Sequence, residues 1–176
     1  MSETNQGELN TRLQQAKDAL DEFYKAKETT TGKEYDLACD YLDWVNRKTG
    51  IVLNEKAFTI PEGIKIKRGD VYWIHFGYNI DEELGGKHPG IVLRKGGNTA
   101  IVVPLSTQEP TPDQLASGIY VEIDRVYNFK KLRRWVNVLN SMPISIQRFD
   151  FSTVGNIKGY ELDKINAAMK KSGLWT

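Results

Sequence analysis

A single cysteine, two histidines and a formal charge of only +1 in 176 residues remove several classes of function at the outset. Cys39 alone rules out an intramolecular disulfide framework and fits a reducing compartment. With Ala38 and Asp40 beside it and no adjoining base or cation, it reads as a small buried apolar residue on a helix, not a nucleophile. Histidines this few, none closely spaced with a carboxylate, argue against zinc, and no metal or cofactor is expected. The near-zero charge sets up no global field, so a nucleic-acid or membrane partner has to be met by a local patch. No run approaches the ~18 apolar residues of a membrane span, and the opening MSETNQGELN lacks the apolar core of a signal peptide. The expectation is a cytoplasmic protein with no membrane partner. The sequence has no G-x-x-x-x-G-K-[ST] phosphate loop, no repeat and no low-complexity tract.

What is present, 40% hydrophobic residues over 176 positions, suffices for one well-buried domain with an appendage. Its centre is the stretch from Arg68 to Gln108. Gly69-Asp70 opens the run Val71-Tyr72-Trp73-Ile74-His75-Phe76, β-branched and aromatic at period two, which predicts a strand. By that alternation His75 shares a side with Val71 and Trp73 and reads as a packed or edge residue. Gly85-Gly86-Lys87-His88-Pro89-Gly90 follows, where the glycines let the backbone approach another group closely. Ile91 to Arg94 and Ala100 to Leu105 predict two further strands, joined across Lys95-Gly96-Gly97-Asn98 as a hairpin.

Upstream, Leu9, Leu13, Ala16, Leu20 and Phe23 fall on one helical face, predicting a helix from Glu8 to about Lys27 capped by Asn5. Thr31 and Glu34 have capping-box spacing for a second helix carrying Leu37, Ala38, Tyr41, Leu42 and Val45 and ending near Thr49-Gly50. Residues 1–50 thus read as an antiparallel helical hairpin, residues 51–64 as a connector and residues 65–176 as the core domain. The hairpin's apolar stripe suits packing within the chain, a short coiled coil or a partner's helix. Beyond the central stretch, Glu109-Pro110-Thr111-Pro112-Asp113 predicts an exposed turn, and Ile119 to Ile123 a strand. Val136 to Leu139 and Pro143 to Ile146 offer further short strands, and Tyr160 to Lys171 a helix stopped by Ser172-Gly173. Between them lies the dense basic segment Arg125 to Trp135, RVYNFKKLRRW, with Tyr127, Phe129 and Trp135 among its cations. That composition suits phosphate contacts with base stacking; it equally suits a solvated loop anchored by its aromatics. Short strands, a terminal helix and no βαβ alternation predict an α+β, mostly β, small antiparallel barrel.

Three blocks, GDVYWIHF, GGKHPGIVL and AIVVPLSTQ, in this order and spacing, resemble the MazF/PemK (Kid-type) toxins of type II toxin–antitoxin systems. The likeness covers about residues 65–171 and leaves the helical hairpin outside it. It implies an SH3-like barrel of the CcdB/MazF/PemK type with a C-terminal helix, assembled as a homodimer. It further implies metal-independent cleavage of single-stranded RNA, as an mRNA interferase, under control of a cognate antitoxin protein. In that chemistry the 2′-hydroxyl attacks the adjacent phosphate and leaves a cyclic phosphate and a 5′-hydroxyl. A base, an acid and charge-stabilising donors are needed.

Carried over by residue, His88 stands where the family's arginine precedes the proline, and Lys87 beside it keeps a positive charge. Ser106 replaces the threonine that ends the third strand, followed by Thr107 and Gln108; Glu83 matches the loop acid, with Leu84 where a glutamine is usual. Asn140-Ser141-Met142-Pro143 carries no charge where an acidic-Gln pair with a nearby arginine is usual. An imidazole with an ordinary pKa of about 6.5 is a competent proton carrier near neutrality. On the nuclease reading His88, Ser106 and Glu83 are catalytic, while Lys87, Thr107, Gln108, Lys130, Lys131, Arg133 and Arg134 bind RNA. The competing reading is a catalytically degenerate barrel that binds RNA or protein, with His88 an ordinary loop residue. A gyrase poison on the same barrel is a third; it requires a specific C-terminal tail, to which Ser172-Gly173-Leu174-Trp175-Thr176 shows no likeness.

Overall fold

The computed structural model describes residues 3–81 and 83–174. They divide into two compact units between Arg47 and Lys48. In the N-terminal unit, α1 (Glu3–Lys27) and the greater part of α2 (Lys33–Leu53) form the expected hairpin. The Phe23 and Tyr41 rings meet with centroids 4.5 Å apart, and Lys27 Nζ pairs with Glu34 at 2.6 Å across the turn. Two expectations need correction. Asn5 lies inside α1 and not at its cap, because the first described residue, Glu3, is already helical. Gly32, not Thr31, precedes α2, and the Glu34 carboxylate is engaged by Lys27 instead of closing a capping box. Helix α2 also runs past Gly50 to Leu53, since one internal glycine weakens a helix without ending it. Of the two helices' described side chains only Ala38 is buried; Cys39 is half-buried, and Leu9, Leu13, Leu37 and Leu42 are exposed. No helix among the described residues is long and apolar enough to cross a membrane.

The second unit is built on β1 (Asp70–Gly77), β2 (Gly86–Gly96), β3 (Thr99–Pro104), β4 (Tyr120–Ile123), β5 (Arg134–Asn137), β6 (Met142–Ser145) and β7 (Phe149–Asn156). Five of these form an antiparallel sheet in the order β6-β3-β2-β1-β7, while β4 and β5 pair separately. The β2–β3 hairpin turns across two residues: Gly96 pairs with Thr99, and Gly97 takes the left-handed φ of +58° that such a turn demands. Alternation along β1 sends Val71 into one core, with Ile91, Val103, Ile123, Val136 and the Ile165 and Met169 side chains of α4 (Gly159–Lys171). It sends Tyr72, Ile74 and Phe76 into a second core on the opposite face, with Val92, Val102, Ile144 and Phe149. Phe58, Ile60 and Ile66 pack against this second core, so part of the stretch read as a connector covers a sheet face.

Bulges bend the large sheet where β1 leaves register with β7 between Tyr72 and Trp73 and where β2 leaves register with β3 between Val92 and Arg94. Two isolated bridges then close the barrel. Past β3, Ser106 exchanges backbone hydrogen bonds with Trp135 at 2.9 and 2.8 Å, and Tyr127 N donates to Asn156 O at 2.9 Å beside β7. The anticipated mostly β barrel with a terminal helix is therefore the observed architecture.

Differences in detail have local causes. Thr111-Pro112-Asp113 opens a short helix, α3 (Pro112–Ser117), in place of an exposed turn. Thr111 and Gln114 form a capping box, and proline occupies the helix start, where its missing N–H costs nothing. The strand expected over Val136–Leu139 begins earlier and ends at Asn137, whose side chain accepts from Leu139 N and starts a 3-10 turn. Strand β6 likewise gives way to a 3-10 turn at Ile146. Strand β7 was not anticipated at all: three residues, Phe151 to Thr153, bulge between its two stretches of pairing with β1 and break the alternation. The tail residues Trp175 and Thr176 lie outside the described residues.

Candidate active site and nucleic-acid interface

A cleft of about 530 Å³ opens where the concave side of β1 and β2 meets the basic loop. Strand β1 contributes Trp73; the start of β2 contributes Lys87, His88 and Pro89; the chain after β3 contributes Leu105 and Thr107. Asn128, Phe129, Lys130 and Leu132 come from the loop between β4 and β5, Arg134 from β5 and Thr153 from the β7 bulge. Pro89 is tolerated inside a strand because its carbonyl accepts from Leu105 N at 2.7 Å, one residue past the end of β3, so the nitrogen on that same edge does not face β1. The pairing of β2 with β1 therefore loses no bond to the missing N–H.

The basic loop is tied down at several points. Glu161 Oε1, buried at the start of α4, accepts from Asp124 N at 2.7 Å. Its Oε2 lies 2.9 Å from Lys164 Nζ, close enough for an ion pair although the geometry is not that of a hydrogen bond. Asn128 takes a left-handed φ of +64° and donates from Nδ2 to Val154 O at 3.2 Å. Gly155 makes the docking possible, since a Cβ there would stand 2.6 Å from Phe129 Cδ2. Phe129 consequently lies against Trp73, with centroids 5.9 Å apart and planes 23° from parallel.

The cations of the region have different fates. Lys87 Nζ is 2.7 Å from Asp150 Oδ2, and this ammonium, with Ser152, holds the Asp150 carboxyl well below the usual range. Arg133 pairs with Glu122 at 2.9 Å and Glu109 at 3.4 Å and lies over the Trp135 ring, away from the cleft lining. Arg134 is different: it is 4% exposed, and its Nη1 donates to Lys130 O at 3.0 Å and to Leu132 O at 3.4 Å. Among the described residues no carboxylate pairs with it, and burial pulls its pKa down. Lys130, exposed at the cleft, has no ion-pair partner among them either.

His88 is half-buried, and burial lowers its pKa from 6.5; the neighbouring backbone at Gly85 and Leu105 pulls more weakly the other way. Desolvation wins, which favours the neutral imidazole. Of the other residues singled out from sequence, Thr107, Lys87, Lys130 and Arg134 join His88 in the cleft. Ser106 lies just outside the lining, its Oγ accepting from Gln108 N at 3.0 Å. Glu83 also stands outside: its carboxylate accepts from Ile80 N at 3.3 Å and braces its own loop. Gln108 and Lys131 are exposed and do not line the cleft. Sequence reasoning did not assign Trp73, Asp150 or Thr153 to the site; the last two sit on the unanticipated β7. Among the described residues no three His, Cys, Asp or Glu side chains gather in a metal-binding group.

Residues 67–172 match the model of a family described as PemK-like, MazF-like toxin of type II toxin-antitoxin system. Among solved structures the chain is similar to MazF from Deinococcus radiodurans (12% identity, TM-score 0.50, 64% of this chain and 99% of that one). It is similar also to an endoribonuclease from a mycobacterial species, in complex with its cognate antitoxin (20% identity, TM-score 0.47, 64% of this chain and 100% of that one). No curated protein matches. At 12% identity the likeness to the Deinococcus structure concerns the fold alone.

Proposed function

The chain belongs to the PemK-like, MazF-like toxin family of type II toxin–antitoxin systems, and from that footing we propose that it is a metal-independent endoribonuclease acting on single-stranded RNA. The observation that carries the reading is Arg134, a buried guanidinium that lines the cleft and, among the described residues, hydrogen-bonds backbone carbonyls and no carboxylate. Burying a cation without a counter-charge is costly, and a phosphate entering the cleft supplies the missing anion. Lys130 adds a second positive group and Thr107 a hydroxyl donor. Burial of His88 favours the neutral imidazole, the form that accepts a proton. In the proposed reaction its imidazole takes the 2′-hydroxyl proton as the 2′-oxygen bonds to phosphorus. The P–O5′ bond breaks, and the proton passes to the leaving 5′-oxygen; Arg134 and Lys130 offset the charge gathering on the phosphoryl oxygens.

Family membership also supports a homodimeric, cytoplasmic toxin neutralised by a cognate antitoxin protein. The second reading, a barrel that binds RNA or protein without cutting, is favoured by Ser106 and Glu83, whose side-chain oxygens accept hydrogen bonds from their own loops. Incubating the purified protein with a long single-stranded RNA in excess EDTA separates the two. Discrete cuts ending in 2′,3′-cyclic phosphate and 5′-hydroxyl, lost in His88→Ala, are expected. Intact RNA from a folded protein overturns the nuclease reading.

A further inference from the structure

We infer that Phe129 and Trp73 form a seat for one unpaired nucleobase, beside the phosphate subsite at Arg134 and Lys130. Every base then has to present a π face there, and the cleft reads base-bearing strands as well as backbone charge. The inference rests on the single-stranded RNA reading and adds a second, contiguous subsite to it.

Three observations carry it. First, Trp73 is only half-buried on a strand whose neighbours Val71, Tyr72 and Ile74 are fully buried, and it belongs to neither core. Part of its indole surface therefore remains open to the cleft. Second, the local backbone is shaped to bring Phe129 beside it. Asn128 sits in the left-handed region at φ +64°, and position 155 has no Cβ, which would otherwise stand 2.6 Å from the Phe129 ring. The resulting pair is nearly parallel, at 23°, and both rings line the cleft. Third, Lys130 follows Phe129 directly, and Arg134 Nη1 donates to the Lys130 carbonyl, so the aromatic and cationic groups are parts of one braced loop. The other aromatics of the segment are otherwise engaged: Trp135 is buried, and Tyr127 faces Arg125 and Lys158. A cleft of about 530 Å³ is within the ~300–1,000 Å³ usual for small ligands. Stacking tolerates all four bases, so this seat contributes affinity and register with little sequence preference.

The test measures binding, with strands that cannot be cut. A random-sequence 12-nucleotide 2′-O-methyl RNA and an abasic strand of equal length are titrated against the full-length protein by fluorescence anisotropy. The base-bearing strand is expected to bind roughly 5- to 150-fold more tightly, the gain of one stacked base. Phe129→Leu brings that ratio close to one, and Phe129→Tyr, which keeps the ring, restores it. If Phe129→Leu does not fold, Trp73→Leu reads the same ratio. Equal affinity for the two strands, binding of neither, or a ratio unchanged in the leucine variant overturns the proposal. Unmodified RNA in EDTA is assayed beside them. Intact RNA with the ratio preserved removes the nuclease reading and keeps the seat, whereas cut RNA with a ratio of one removes the seat and keeps the nuclease.

Discussion

Lys87 Nζ and Asp150 Oδ2 stand 2.7 Å apart, joining the start of β2 to β7 across the strand that separates them. The positive charge beside His88 is thereby partly cancelled. The cationic character of the cleft falls to Arg134 and Lys130 instead.

Asp150→Asn frees Lys87 and should tighten binding of single-stranded RNA. The log–log salt dependence of binding should steepen by about 0.7, as expected for one further phosphate contact on a single strand. Stability at pH 7 changes by no more than ~1 kcal/mol, because the pair is partly exposed. The folded-state pKa of Asp150 is depressed, so its contribution is present above the unfolded value near 4 and is lost as pH falls below it. Denaturant unfolding between pH 5 and pH 2 should accordingly show a shallower acid loss in Asp150→Asn than in the wild type.

His88 has the same sign in a higher pH window. Its folded pKa lies below the unfolded 6.5, so between the two values the unfolded chain binds more protons and stability rises with pH. The benefit is complete above about pH 6.5 and declines as the pH drops through that window. As a general base, His88 also predicts an acid limb in the kcat/KM profile with its midpoint below 6.5. A rate independent of pH between 5 and 7, or full activity in His88→Ala, would remove it from the mechanism.

Arg134→Met and Arg134→Lys separate function from stability. A buried cation without a carboxylate partner contributes little to folding, so the methionine variant should unfold within ~2 kcal/mol of the wild type. Cleavage should drop by about 10²–10³ in either variant, since lysine keeps the charge but not the planar fork. Stopped-time RNA digestion alongside urea denaturation measures both.

Gly155→Ala places a methyl group against the Phe129 ring and should cost ~1–3 kcal/mol, the usual price of overpacking. Displacement of the ring from Trp73 should appear as a change in near-ultraviolet circular dichroism at unchanged far-ultraviolet signal. An alanine variant with wild-type stability and spectrum would show that the loop docks without this close approach.

Strands β1 and β3, β2 from Ile91 onward, a hairpin turn within Lys95–Asn98, the terminal helix and the family likeness were legible in the chain because each depends on neighbouring residues, whereas the Gly86–Gly90 part of β2, read as the end of a loop, became strand only by pairing with β1. Alternation along Val71–Phe76, Gly97 in a turn that needs positive φ, and Leu162, Ile165 and Met169 at helical spacing are all local facts. Strand β7 was not legible, because its bulge opposite Tyr72 and Trp73 exists only through pairing with β1. The condition of the site's charges was equally hidden. Lys87 finds Asp150 63 positions away, and Arg133 finds Glu122 and Glu109. Arg134 is buried where β5 starts, beside the Ser106–Trp135 bridge that closes the barrel. Composition counted five cations between Arg125 and Trp135. Which of them keeps an unpaired charge facing the cleft was decided by tertiary structure, since charge compensation and desolvation depend on neighbours in space, not along the chain.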